Sequence, residues 1–254
     1  MSIPTSAPSN APLPAGTSFQ RRAPALGWYV LVAVLVLLWL CPIRSGTLRN
    51  AILADAALVW VVGLLVWRRR AVALVLLAVA AVLVLAIAFV PGRPSDPRAL
   101  RDQYVTSLRG YEGIRYVWGG ENHRGVDCSG LVRGALAEAE FRLGARTLNP
   151  ALLRGAFALW RNDATAMSLR DGYNDRARRV DEVRTLNNAR ADLLAPGDFA
   201  VTPGGNHTLA YLGGGTWIAA DPMLRVVKTY RSPDTREFWL STRLIILRWR
   251  VLEP

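Results

Sequence analysis

Residues 116–132 have the sequence YVWGGENHRGVDCSGLV, and this stretch decides how the C-terminal part of the chain folds. A glycine-rich loop leads into Asp127, Cys128 and Ser129, and a segment of helical apolar periodicity follows. The pattern predicts that Asp127 caps a helix whose first turn carries Cys128. The helix dipole favours a thiolate there, whereas the neighbouring carboxylate opposes one. From this segment alone, Cys128 is either a nucleophile or a small buried side chain at a helix start.

A histidine further along the chain favours the nucleophile. His207 follows the turn sequence PGGN and opens the apolar segment 208–212, which predicts a strand. A cysteine and a histidine that each lie where a loop meets a regular element predict a thiolate–imidazolium pair. His123, which lies in the same loop as Cys128, is the competing base, although a histidine in a loop is usually only solvated.

These segments resemble the NlpC-type cell-wall cysteine peptidases, a papain-like group. The 116–132 stretch resembles their active-site signature, LAPGDF at 194–199 resembles the turn and strand before their histidine, and HTLAYLG at 207–213 resembles the histidine strand. The resemblance covers residues 99–222 and leaves the N-terminal part of the chain outside it. It implies a hydrolase of peptidoglycan stem peptides that needs no cofactor and no metal.

The resemblance also implies roles for individual residues. Cys128 would be the nucleophile, and His207 would take its proton and return it to the leaving amine. The backbone N–H of Cys128 would help form the oxyanion hole, with the Tyr116 hydroxyl nearby. Asp127 and Ser129 would bind the free amino terminus of the stem peptide. The bond that the family usually cuts joins D-glutamate to a diamino acid.

The chain departs from the family at the third catalytic position. Relatives usually carry a polar residue, often histidine, where this chain has Ala219. Asp221 lies two residues further on, and therefore on the same face if the strand continues, so it is the third catalytic candidate. Because Pro222 follows, Asp221 can instead be a turn residue that bonds its own backbone. Without a replacement for the missing group, the orientation of His207 would be less controlled.

The N-terminal third of the chain has a different character. Three apolar runs, 23–43, 51–67 and 71–91, predict three transmembrane helices, the second being the weakest because it contains Asp55. Arginines precede the first run and separate the second from the third, which predicts a cytoplasmic N-terminus. Everything after residue 91 is then expected on the outer side of the membrane, periplasmic or extracellular.

Charge and composition exclude several protein classes. The net charge of +12 divides equally, +6 in residues 1–92 and +6 in residues 93–254. Half of the excess thus lies between apolar runs, where it indicates membrane topology, and no nucleic-acid partner is expected. The apolar fraction of 52% excludes a disordered chain. Two cysteines and two histidines exclude a disulfide framework and all but exclude a structural zinc site.

The domain division follows from these patterns. Residues 1–22 predict a flexible tail, 23–92 a three-helix membrane region, and 93–254 one NlpC-type domain. Within the last, helices followed by short strands predict an α+β fold with an antiparallel sheet. The predicted helices are 99–108, 129–143 with Gly144 as its stop, and 149–169. Residues 170–192 predict a surface excursion, and the strands are 199–202, 208–212, 217–220, 225–230 and 244–251.

Three functions remain open at this point. The first is a membrane-anchored endopeptidase that acts on stem peptides, with the lipid bilayer as its other partner. The second, motivated by Ala219, is a catalytically weak module that binds wall peptides or recruits another wall enzyme. The third is a thiol-dependent lipid acyltransferase, which the order of Cys128 before His207 disfavours. The oligomeric state is left open.

Overall fold

The computed structural model describes residues 17–253, with side chains from Pro24 onward. Residues 1–16 of the predicted tail lie outside the described part, and the first helix already begins within that predicted segment. The chain opens with three helices: α1 (Thr17–Leu40), α2 (Gly46–Trp67) and α3 (Ala71–Phe89).

Two of these helices are long and apolar enough to cross a membrane. Among residues 17–253, α2 and α3 meet that criterion, whereas the described side chains of α1 supply only the shorter apolar stretch Pro24–Leu40. Of the three predicted spans, therefore, two are supported by length and composition. The second begins earlier than predicted because Ser45 caps it, its Oγ accepting a hydrogen bond from the Leu48 N–H at 3.2 Å.

Four helices belong to the C-terminal region: α4 (Pro97–Gly110), α5 (Cys128–Thr147), α6 (Pro150–Arg161) and α7 (Ala166–Arg170). The single helix predicted over 149–169 is wrong, since α6 and α7 are separate. Gly144 does not end α5 as predicted. It lies against α6, where a Cβ would stand 3.0 Å from that of Leu152, so the glycine serves close helix packing. The helix ends instead at Leu148, which adopts a left-handed conformation.

The predicted α+β fold with an antiparallel sheet is confirmed. A two-stranded ribbon, β1 (Glu121–Asn122) and β2 (Gly125–Val126), precedes α5. A six-stranded sheet has the order β3-β8-β4-β5-β6-β7 with every pairing antiparallel. Its strands are β3 (Ala177–Val183), β4 (Phe199–Val201), β5 (Thr208–Gly213), β6 (Thr216–Asp221), β7 (Val226–Arg231) and β8 (Leu244–Trp249).

Strand β3 corrects the prediction of a surface excursion over 170–192. It pairs with β8 at one edge of the sheet, burying Ala177 and Val183 and exposing Arg178 and Arg179. Charged side chains are typical of edge strands, where they discourage pairing with other chains. The polar composition of the segment therefore reflects its place at the edge.

The sheet has two apolar faces, and one of them positions α5. Ala210 and Ile218 from this face pack with Leu131 and Leu136 of the helix in the main core. The opposite face carries a second cluster that includes Leu209 and Trp217 together with Tyr230. Because α5 packs against the middle of the sheet, its N-terminus lies where β5 begins.

Candidate active site

The N-terminus of α5 is capped by Asp127, as the sequence predicts. Its Oδ1 accepts hydrogen bonds from the Gly130 N–H at 2.6 Å and from the Ser129 hydroxyl at 3.0 Å. Its Oδ2 accepts one from the Gly119 N–H at 2.8 Å. The carboxylate next to Cys128 thus joins the helix to the preceding loop, which gives it a structural reason to be acidic.

Two glycines allow the loop and the helix to approach closely. A Cβ on Gly130 would lie 2.1 Å from the Gly120 carbonyl oxygen, so any larger residue would force the two segments apart. The same carbonyl accepts a hydrogen bond from the Asp127 N–H at 3.0 Å. This close contact fixes the backbone on both sides of Cys128.

The start of the histidine strand is bonded directly to the cysteine. The Thr208 hydroxyl donates to the Cys128 carbonyl oxygen at 2.6 Å. In the neighbouring strand pair, Ala210 lies opposite Ile218, and extending that register brings His207 across from Asp221. The structure therefore brings the predicted nucleophile, base and third candidate into one region.

A tryptophan covers the imidazole. Trp239 stacks on His207 with 3.7 Å between ring centroids and an interplanar angle of 21°. The His207 side chain is buried, and neither ring nitrogen has a hydrogen-bond partner among the described residues, the Cys128 thiol included. Burial lowers the pKa of His207 to about 4, and the nearby Asp221 charge offsets this only in part.

The Asp221 carboxylate is bonded to other groups than the imidazole. Its Oδ1 accepts from the backbone N–H groups of Met223 and Leu224 at 2.6 and 2.9 Å, which is the turn role that the sequence left open. Its Oδ2 accepts from the Tyr230 hydroxyl at 2.5 Å and from the Trp239 indole N–H at 3.0 Å. The hydrogen bonds of Asp221 therefore connect it to His207 indirectly: Asp221 bonds the indole of Trp239, and that indole stacks on the imidazole.

The electrostatics of the cysteine favour the thiol. Burial, and secondarily the Asp127 charge, raise the pKa of Cys128 to about 11, while hydrogen bonds from Thr208 and Ser129 lower it less. Burial, and secondarily the charges of Cys128 and Asp127, also raise the pKa of Tyr116, whose backbone is bridged to Val126, two residues before Cys128. Burial thus favours the neutral thiol and the neutral imidazole over the predicted thiolate–imidazolium pair.

The competing histidine lies elsewhere. His123 is half-exposed, stacks on Tyr111 at 4.1 Å and is hydrogen-bonded to Glu138 at 3.1 Å. Glu138 follows Cys128 by about 15 Å along α5 at 1.5 Å of rise per residue. His207 is therefore the histidine that lies beside the start of α5.

Trp239 was not among the residues that the sequence singled out. Nothing in its irregular surroundings or spacing distinguishes it from the other tryptophans, so no sequence signal could have found it. Thr208 was also missed, although it adjoins the predicted base. No group of three His, Cys, Asp or Glu side chains that could hold a metal occurs in the described part of the chain.

Comparisons with known proteins show the family of this chain. The sequence model of the NlpC/P60 family matches residues 113–244, which include both Cys128 and His207. Similar solved structures include NlpC2 from Trichomonas vaginalis, 18% identical, aligned over 61% of this chain and 48% of that one with a TM-score of 0.38. This chain thus spans about half the length of that protein.

Two single-domain structures are similar over nearly their whole length. One is the P60 domain of an antigen from M. avium subspecies paratuberculosis, 20% identical, covering 62% of this chain and 98% of that one with a TM-score of 0.36. The other is the NlpC/p60 domain of the peptidoglycan hydrolase SagA, 23% identical, covering 57% and 97% with a TM-score of 0.31. No curated protein matches the chain. Because the family match covers more than half of the residues, the chain belongs to the NlpC/P60 family, a family of cell-wall cysteine peptidases.

Proposed function

We propose that this protein is a membrane-anchored cysteine endopeptidase that hydrolyses amide bonds in peptidoglycan stem peptides. Cys128 is the nucleophile and His207 the base. The observation that carries the proposal is the 2.6 Å hydrogen bond from the Thr208 hydroxyl to the Cys128 carbonyl, since it ties the histidine strand to the first turn of α5. The family match over both residues supports it.

The environment of the two groups suggests an order of proton transfer. Because burial raises the pKa of the Cys128 thiol and lowers that of the His207 imidazole, the proton stays on sulfur in this proposal until substrate is attacked. His207 then accepts that proton as Sγ bonds to the carbonyl carbon, and the Cys128 N–H stabilises the developing oxyanion. The imidazolium returns the proton to the leaving amine, and water hydrolyses the thioester.

The remaining predicted residues have supporting roles in this proposal. Tyr116 faces the same oxyanion, and Asp127 with Ser129 binds the amino terminus of the stem peptide. Asp221 is a positioning residue: it holds the Trp239 indole at 3.0 Å, and the indole in turn stacks on the imidazole. In this proposal, the Asp221–Trp239 pair orients His207 in place of the polar residue that relatives usually carry at the position of Ala219.

The arrangement of the N-terminal helices supports an outward-facing catalytic domain. The α1–α2 loop contacts the domain at Gly119, and the end of α3 contacts it through Arg154. Arg68, Arg69 and Arg70 form the connection at the other end of the helix pair α2 and α3. Arginine-rich connections are typical of the cytoplasmic side, so the domain belongs on the outer side of a chain with three spans.

The test uses the full-length protein in detergent or nanodiscs with purified peptidoglycan. Wild type and Cys41→Ser, which removes the other thiol, are expected to release soluble peptides, and Cys128→Ala is expected to release none. If wild type and Cys128→Ala release the same peptides, or if neither releases any, the peptidase proposal is overturned.

One observation favours a second function, a catalytically weak module that binds wall peptides. Both ring nitrogens of His207 lack partners among the described residues, and the raised pKa of Cys128 disfavours the thiolate. This second function predicts that wild type and Cys128→Ala bind wall peptides equally well and that neither cleaves them. Cleavage that depends on Cys128 excludes it.

A further inference from the structure

The loop between α1 and α2 forms backbone hydrogen bonds with the loop that precedes Cys128. The Arg44 N–H donates to the Gly119 carbonyl at 2.9 Å, and the Glu121 N–H donates to the Pro42 carbonyl at 3.1 Å. Ile43 and Gly120 form an antiparallel β-bridge between them. The segment Pro42–Arg44, which lies outside the NlpC/P60 match, thus lies beside the active-site loop as a short extra strand.

A buried ion cluster reinforces this contact. Arg49 lies near the start of α2, and its side chain is fully buried. Its Nη2 is 2.5 Å from Oε1 of Glu121, and the same oxygen also accepts a hydrogen bond from Arg133 of α5. Asp163, whose side chain is 56% exposed, lies 3.6 Å from Arg49 and 3.8 Å from Arg133 at the solvent side of the cluster.

Removing a single charged partner from the cluster costs free energy. A buried carboxylate that loses one of its cationic partners keeps its desolvation penalty with less compensation. Arg133 is further fixed by the Leu159 and Asn162 carbonyls at the end of α6. Because Arg133 belongs to α5, Glu121 joins the start of α2 to the helix that carries Cys128.

The contacts continue from this loop to the nucleophile. The Gly119 carbonyl accepts from the Arg44 N–H of the α1–α2 loop, and Gly120 is the β-bridge partner of Ile43. On the other side, the Gly119 N–H donates to the Asp127 carboxylate at 2.8 Å, and the Gly120 carbonyl accepts from the Asp127 N–H at 3.0 Å. Asp127 caps α5, and Cys128 is the first residue of that helix. A displacement of Gly119 or Gly120 therefore moves the cap and the thiol with it.

We propose that Arg49 and the segment Pro42–Arg44 position the active site. They hold the Gly119–Glu121 loop so that Asp127 caps α5 and the Cys128 thiol keeps its orientation toward substrate. The inference rests on the proposed peptidase function and adds to it a role for the N-terminal helices beyond anchoring.

The test compares full-length variants in nanodiscs. Arg49→Gln is expected to lower kcat by about tenfold to a hundredfold with little change in KM, since small misplacements of a nucleophile cost rate more than binding. Arg49→Lys, which keeps the charge without the fork of donors, is expected to recover part of this loss. Arg68→Gln, at the other end of α2, is the matched control and is expected to leave kcat unchanged.

A second, less disruptive variant tests the inference in case Arg49→Gln does not fold. The Asn122 side-chain amide donates to the Cys41 carbonyl at 2.9 Å, and its Oδ1 accepts from the Arg124 N–H at 2.8 Å. Asn122→Ala therefore removes one hydrogen bond to the α1–α2 loop and one within the β1–β2 turn, and it leaves the ion cluster intact. Loss of these two hydrogen bonds is expected to lower kcat by about fivefold. Rates are referred to the concentration of folded protein, so a purely structural role for Arg49 would reduce yield and leave kcat unchanged.

A second readout is the alkylation of Cys128 as a function of pH in a Cys41→Ser background. Arg49→Gln is expected to shift that profile, because Asp127 moves relative to the thiol. Unchanged kcat and an unchanged profile in both Arg49→Gln and Asn122→Ala overturn the inference even if wild type cleaves peptidoglycan. If wild type and Cys128→Ala do not differ in cleavage, the proposed function fails instead, and the alkylation profile alone decides the positioning role.

Discussion

At the scale of single residues, the unusual feature is how His207 is oriented. Offset aromatic pairs contribute about 0.5–1.5 kcal/mol beyond their buried area, which is enough to select one ring orientation. Trp239 supplies this contact and is itself held by Asp221. The sequence predicted Cys128 and His207 as site residues because each lies in a recognisable local pattern. It could not identify Trp239, whose position depends on how an irregular segment folds back over the sheet.

The stacking makes a prediction about the pKa of His207. Trp239→Ala exposes the imidazole, and because burial is the main cause of the lowered value, the pKa is expected to rise from about 4 toward 6.5. Between pH 4 and 6.5 the variant then holds its base partly protonated, so its activity falls more steeply with acidification than that of wild type. NMR titration in a His123→Gln background, which leaves one histidine, measures the pKa directly.

The control for this prediction is Trp239→Phe. Phenylalanine retains an aromatic face over the imidazole but cannot donate to Asp221, so the pKa of His207 is expected to stay low. An equal pKa in wild type and Trp239→Ala would contradict the role of Trp239 in burying the base.

At the scale of secondary-structure elements, the strands of the sheet were easier to predict than the helices. Strands β4, β5, β6 and β8 are short, mostly apolar runs, Gly and Pro punctuate much of this region, and the sequence predicts a strand at each of the positions of β4 to β8. Strand β3 was missed because an edge strand needs few apolar residues. Gly144 was taken as a helix stop because sequence alone cannot distinguish a terminating glycine from one that lets α6 approach α5.

This packing role predicts the effect of Gly144→Ala on stability. A Cβ there would lie 3.0 Å from the Leu152 Cβ and 3.1 Å from the Leu153 backbone nitrogen, and backbone cannot move aside easily. We expect the free energy of unfolding to fall by about 1–3 kcal/mol, as is typical of overpacking. Chemical denaturation of the full-length protein measures it.

Gly110→Ala is the matched control. Gly110 is the last residue of α4, and a Cβ there would meet only the His123 ring at 3.8 Å. Its stability is expected to be unchanged or raised by up to about 1 kcal/mol, since alanine favours a helix more than glycine does. Equal losses in Gly144→Ala and Gly110→Ala would argue against specific packing at Gly144.

At the scale of the whole molecule, the distribution of charge predicts topology. Of the seven arginines in residues 1–92, Arg21 and Arg22 precede the first apolar run, Arg44 lies in the α1–α2 loop, Arg49 in the first turn of α2, and Arg68–Arg70 connect α2 to α3. A reporter fused to the C-terminus of the full chain is expected to be active on the outer side of the membrane. A fusion after Arg69 is expected on the cytoplasmic side. The same location for both reporters would contradict the three-span arrangement.

The C-terminal domain contacts the N-terminal helices in two separate regions. The first is the contact of Pro42–Arg44 with Gly119–Glu121, and the second is Arg154, whose guanidinium donates to the Ile87 and Val90 carbonyls at 2.6 and 2.8 Å. A rigid body held at two points can rotate only about the line that joins them, so these contacts restrict the distance between the domain and the helices. With the proposed function, the domain would therefore reach wall peptides only within a limited distance of the bilayer.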